Sequence, residues 1–248
     1  MSLSLKTLVY HLSPRIYAWL SEKRRVSQLA RMAAQLSDHA QNSAVGDLID
    51  IPELQKSGPF WSNQKRAEIL SLLELLQERQ PSYLCEIGAF KGGTLFLFTR
   101  VAASRAQIVS IDIDYPKIKK RPIQQFARRG QRIYCLEANS QSVDTAIAVK
   151  QLLSGQLLDF LFIDGDHSYQ GVKRDFELYS SLVRPGGLIA LHDIVPDHGH
   201  RYGLKTTTRT GEVPVFWNEI KQLFKYWELV EDPEQDGYGI GVVEWRPR

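Results

Sequence analysis

Acids and histidines in this 248-residue chain recur directly after short apolar runs. Glu86 closes YLCE, Asp112 closes IVSID, and Glu137, Ala138, Asn139 and Ser140 follow RIYCL. Asp164, Gly165, Asp166 and His167 follow LDFLFI, and His192 with Asp193 ends GLIAL. Surface acids placed at random would not fall at the same end of every run. With these runs as strands, Asp164 and Asp193 end neighbours about 4.8 Å apart and repel unless a proton or cation lies between them. His167, three residues after Asp164, has an ordinary pKa of about 6.5 and can take a hydroxyl proton near neutral pH. The bland alternative is that Asp164 meets a cofactor while His192 and Asp193 only tie down the loop that follows.

The turn after Glu86 reads Ile87-Gly88-Ala89-Phe90-Lys91-Gly92-Gly93. Glycines there let a ligand approach the backbone, and the start of the next helix favours negative groups. The spacing is GxxxGG, so the GxGxxG dinucleotide pattern is absent. Asp112 is placed to accept hydrogen bonds from ribose hydroxyls. Glu86 suits a ligand with a positive amino group better than one with a pyrophosphate. These features favour S-adenosylmethionine over NAD, with a ligand-free strand–helix turn as the remaining alternative.

Elements of alternating type must carry these residues. A Leu-rich helix from about residue 63 reaches Pro81. Five apolar β runs then alternate with helices after Gly93, near 119–128, at 141–153 and around Val172 to Leu182. Such alternation predicts a doubly wound α/β fold, a parallel sheet covered on both faces. Two final strands near 226–231 and 238–245, joined by a short turn, predict an antiparallel pair at its edge. Ligands of open α/β sheets bind beyond the carboxyl ends of the strands, where the polar residues fall.

EIGAFKGG, SIDID and the block from Phe162 to Ile194, FIDGDHSYQGVKRDFELYSSLVRPGGLIALHDI, resemble class I S-adenosylmethionine-dependent methyltransferases. The branch is similar to cephalosporin-hydroxylase-like and macrocin-O-methyltransferase-like enzymes, over about residues 64–245. The resemblance implies a Rossmann-like, seven-stranded, mostly parallel sheet with the last strand antiparallel. It implies Gly88, Gly92 and Gly93 at the cofactor's methionine end with Glu86 beneath, Asp112 on the ribose, and Asn139, Ser140 and Gln141 near the adenine. It further implies Asp164 and Asp193 as ligands of a divalent metal, Mg2+ or Mn2+. The third ligand departs from the pattern: His192 stands where macrocin-type enzymes have an acid, and Ile194 where catechol-type enzymes have an amide. Histidine suits manganese, iron or zinc better than magnesium. Related metal-dependent enzymes place a lysine base where this chain has His167.

Composition bounds the rest. Lys and Arg number 31 against 28 Asp and Glu, and residues 1–45 hold six of the basic and two of the acidic side chains. The remainder is slightly acidic, which disfavours nucleic acid as partner. No apolar run of about 18 residues predicts a membrane span, and no signal-type leader is evident. Two cysteines, Cys85 and Cys135, cannot build a disulfide framework, so a reduced, cytoplasmic setting is expected. Residues 1–60 read as an N-terminal helical extension, broken near Ser13-Pro14 into two helices, and a linker over 40–60. That extension is expected to cap the domain of residues 61–248 or to pair with a second subunit. A long polar loop, 195–212, with His198, His200, Arg201 and Thr206 to Thr208, is expected to cover the acceptor, with Trp61, Tyr169 and Tyr202 nearby. The expected activity is transfer of a methyl group to a hydroxyl of a small molecule or sugar. An NAD-dependent oxidoreductase and a non-catalytic cofactor-binding protein are the alternatives.

Overall fold

The computed structural model describes residues 14–40, 43–115 and 117–247, with the side chains of 117–119 left aside. Helix α1 (Pro14–His39) opens it, with proline at its first position, where a missing N–H costs nothing. The helix expected before Ser13 lies outside the described residues. Ala30, Ala33, Leu36 and Ser37 bury the second half of α1, and its first half is exposed. Arg100 ties it down by donating to the Ser37 carbonyl at 3.2 Å.

Residues 43–60 differ from the linker expected over 40–60. They form α2 (Val45–Ile49) and a 3-10 turn (Pro52–Leu54), and Leu48, Ile49, Leu54 and Phe60 enter one core with α1 and the sheet. Apolar side chains at those positions outweigh the Gly and Pro that read as a break.

Helix α3 (Arg66–Arg79) buries Ile69, Leu72, Leu73 and Leu76 at helical spacing and ends at left-handed Gln80 before Pro81. Then follow β1 (Tyr83–Ile87), α4 (Gly93–Val101), β2 (Gln107–Asp112), α5 (Lys117–Gln124), β3 (Arg132–Glu137), α6 (Val143–Leu152), β4 (Leu158–Ile163), α7 (Tyr169–Ser180) and β5 (Val183–His192). After α8 (His198–Tyr202) and α9 (Val213–Ile220) the chain closes with β6 (Lys225–Leu229) and β7 (Ile240–Glu244).

The seven strands order as β3-β2-β1-β4-β5-β7-β6, with β7 antiparallel to both neighbours. Alternation along the buried strands feeds two cores. Phe160 and Phe162 face α4, while Leu161 and Ile163 face α7 and α9. The chain reverses its direction of winding between β1 and β4, and such a switch point leaves a crevice at the carboxyl ends. Among the described residues no helix is long and apolar enough to cross a membrane.

Candidate active site

A crevice of about 610 Å³ opens at that switch point, lined by Gly88, Asp112, Asn139, Ser140, Gln141, Asp164 and His167 among others. Gly88 shapes its floor. The residue has φ +90°, and a Cβ there would lie 1.8 Å from the Asp164 carbonyl oxygen. Only glycine lets the β1 and β4 ends touch so closely. Asp112 closes the next side, accepting from the backbone N–H of Phe90 at 2.8 Å and of Asp114 at 2.9 Å. Each carboxylate oxygen keeps a further lone pair for a ligand hydroxyl. Phe90 itself holds φ 45°, strain that places it and Trp61 edge to face at the rim.

Glu86 does not line the crevice. It lies beneath, 1% exposed, accepting from the Ser110 hydroxyl at 3.0 Å. Burial pushes its carboxyl up to about 8, against the Ser110 bond. Gly92 and Gly93 also lie off the lining and face protein. A Cβ on Gly92 would meet Ile123 at 2.8 Å, and one on Gly93 would meet the Phe60 carbonyl oxygen at 2.2 Å. Gly93 lets residues 60–62 cross the start of α4. That crossing brings Trp61, Asn63 and Gln64 into the crevice wall. No spacing in the sequence marks Asn63 or Gln64.

Beyond β4 and β5 four polar side chains converge. Asp164 Oδ1 lies 3.3 Å from His192 Nδ1 and 3.7 Å from His167 Nε2. Asp193 Oδ2 lies 3.4 Å from Nδ1 of both histidines. Asp193 is buried with φ 63°, a backbone conformation that turns its carboxylate back into the cluster. Burial alone would raise Asp164, yet the charges of His192 and His167 hold it well below the usual carboxylate range. The bond to Asp164 raises His167 to about 9. Burial works against the charged form of His192, but the facing Asp193 and Asp164 outweigh it and raise its pKa well above the ordinary value. Both ring nitrogens of His192 are nevertheless buried without a hydrogen-bond partner. Ligand atoms of Asp164, His167 and Asp193 all lie within 4.8 Å of one another. Carboxylate oxygens beside unpaired imidazole nitrogens fit a divalent ion with mixed oxygen and nitrogen ligands. The sequence places His167 apart from the ligands, as the base; the structure puts it within ligand distance.

A second concavity of about 580 Å³ adjoins the first at Gly165, Asp166 and His167 and is walled by Ser168, Asp197, His200, Thr208, Arg209 and Glu212. The loop 195–212 forms it and is firmly held. Thr206 and Thr208 donate to Asp236, His200 pairs with Asp197 at 2.8 Å, and His167 Nδ1 contacts the Arg209 carbonyl. Tyr169 and Tyr202 turn to Glu219 and Glu234 instead of lining either space.

Residues 85–194, from the first buried strand to just past Asp193, match the family described as a methyltransferase domain. Over that stretch the chain is similar to a methyltransferase domain. Within the curated proteins, the uncharacterized protein R132 of Acanthamoeba polyphaga mimivirus is 32% identical over 130 residues, half of this chain. The match spans 57% of that relative's length. Among solved structures, the Bacillus cereus O-methyltransferase in complex with SAH superposes with TM-score 0.55 at 17% identity, covering 88% of this chain and 100% of that one. The O-methyltransferase TomG from Streptomyces achromogenes, involved in tomaymycin synthesis and bound to SAM, gives 0.51 at 17% identity, covering 85% and 90%. At that identity the likeness is one of fold, so the roles of the site residues rest on their own geometry.

Proposed function

We propose that this chain transfers the methyl group of S-adenosylmethionine to a hydroxyl of a small molecule or sugar. The observation that carries the reading is the crevice at the β1/β4 switch point, where Gly88, Asp112, Asn139, Ser140 and Asp164 meet. Asp112 would accept the ribose hydroxyls, and Asn139 to Gln141 would border the adenine. Gly93 would serve that cofactor site by seating residues 60–62 against it.

The acceptor fits the adjoining concavity, where Asp166, His167, Ser168, His200 and Arg209 offer hydrogen-bonding partners to a hydroxyl. The acceptor oxygen attacks the methyl carbon in line with the breaking carbon–sulfur bond, giving S-adenosylhomocysteine, while the hydroxyl proton passes to His167. The Asp164 bond keeps His167 protonated in the free protein. Positive charge brought by the sulfonium opposes that proton and frees the imidazole as base. Asp164, His192 and Asp193 would hold a divalent cation, Mg2+ or Mn2+, which when bound lowers a hydroxyl's pKa. The close grouping of His167 with both aspartates favours a second reading, in which His167 is itself a ligand. Metal affinity of His167→Gln separates the two: it is retained if His167 is the base and falls at least tenfold if it is a ligand. Cytoplasmic placement and pairing of copies through the N-terminal helices belong to the same proposal; sedimentation of the intact chain reads the pairing.

Calorimetric titration with S-adenosylhomocysteine and, separately, NAD tests the cofactor. Saturable binding of the first and none of the second supports the reading; the reverse favours an oxidoreductase.

A further inference from the structure

Asp164 has a partner outside every strand-end motif. Gln64 sits just before α3, and its Nε2 donates to Asp164 Oδ2 at 3.1 Å. The amide can face only one way, because an ionised carboxylate accepts and never donates. With Oδ2 so engaged, Oδ1 is the oxygen turned to His192 and His167, at 3.3 and 3.7 Å. One carboxylate therefore has a held side and a working side.

The far end of the same amide is unsatisfied: Gln64 Oε1 is buried with no hydrogen-bond partner. A side chain retained for stability alone would be satisfied at both ends or apolar, since an unpaired buried acceptor loses its hydration for nothing. Nor is Gln64 needed to fix its own segment. Phe60 N–H donates to the Glu53 carbonyl at 3.0 Å, Ser62 N–H to the Leu54 carbonyl at 2.9 Å, and the Ser62 and Thr94 hydroxyls meet at 3.0 Å.

We propose that Gln64 is a positioning residue for the cluster beyond β4 and β5. It pins Asp164 Oδ2 on the cofactor side and keeps Oδ1 aimed at the imidazoles and Asp193. This inference rests on the metal-assisted reading above. Partners that hold a ligand in place contribute about 10–100-fold to metal affinity.

Mn2+ binding to the full chain, followed by loss of the free-ion electron paramagnetic resonance signal, tests it. Gln64→Met keeps the length and removes the donor. It should weaken Mn2+ about tenfold or more, while Tm does not fall. Should that variant fail to fold, Gln64→Leu carries the same expectation. Unchanged Mn2+ affinity overturns the inference, and so does a parallel loss of Mn2+ affinity and Tm, which would mark a merely structural residue. If the wild-type chain binds S-adenosylhomocysteine but no Mn2+, the metal reading falls and takes this inference with it. Wild-type Mn2+ binding with an unaffected variant removes only Gln64.

Discussion

The two halves of the strand-end crevice are built on different principles. Over β1 and β2 the groups lean on the protein around them: Asp112 takes two main-chain N–H donors, one oxygen of Glu86 accepts from the Ser110 hydroxyl, and Gly88 fits only as glycine. Over β4 and β5 the groups face one another, and His192 lies between two carboxylates with neither ring nitrogen hydrogen-bonded. A satisfied site is preformed for its ligand, whereas an unsatisfied one is completed by what binds there. The proposed function divides accordingly, with affinity assigned to the first half and chemistry to the second.

Mutation should separate the halves. Asp193→Asn, which removes one carboxylate charge from the cluster, should lower methyl transfer by about a thousandfold. Its affinity for S-adenosylhomocysteine should stay within about threefold; comparable losses in both would merge the halves. Chelation with EDTA should act the same way, and full turnover in its presence would remove the cation from the account.

Gly88→Ala attacks the contact between the halves. Its Cβ would overlap the Asp164 carbonyl at a positive φ, so the chain should lose about 3 kcal/mol of stability in a denaturant titration. A loss under about 1 kcal/mol would show that the two strand ends can part freely. Asp112→Ala should weaken S-adenosylhomocysteine at least tenfold with Tm nearly unchanged; equal affinity would take Asp112 out of the site.

The smallest effect concerns Glu86. Its folded pKa of about 8 lies above the ordinary carboxyl value, so the folded protein binds this proton more tightly than the unfolded chain. The associated stability is present below the ordinary carboxyl pKa and is lost as pH rises towards 8. Glu86→Gln should therefore gain in Tm relative to wild type between pH 5 and pH 8, by about 2–4 °C per kcal/mol relieved. Parallel melting curves at both pH values would show that Glu86 is not the buried acid described.

Much of this contrast was legible in the residues themselves. Buried parallel strands must be apolar throughout, so YLCEI, QIVSID and LDFLFI stand out, and their polar successors mark the carboxyl ends. The convergence of Asp164, His167, His192 and Asp193 follows from that placement. Three features did not. Gly92 and Gly93 look alike in sequence whether a ligand or another segment lies against them. Gln64 belongs to no periodic pattern, because its position depends on how residues 52–62 fold over α4. The Gly- and Pro-bearing stretch before it hides Leu48, Ile49 and Leu54, whose burial makes it part of the core.

The central claim is tested most directly by a crystal of the full chain grown with S-adenosylhomocysteine and Mn2+. The account predicts the ribose on Asp112, the adenine beside Asn139 to Gln141, and the ion touching Asp164 and Asp193. A nucleoside seated elsewhere, or those two aspartates bound to nothing but protein while the crevice stays closed, would contradict it.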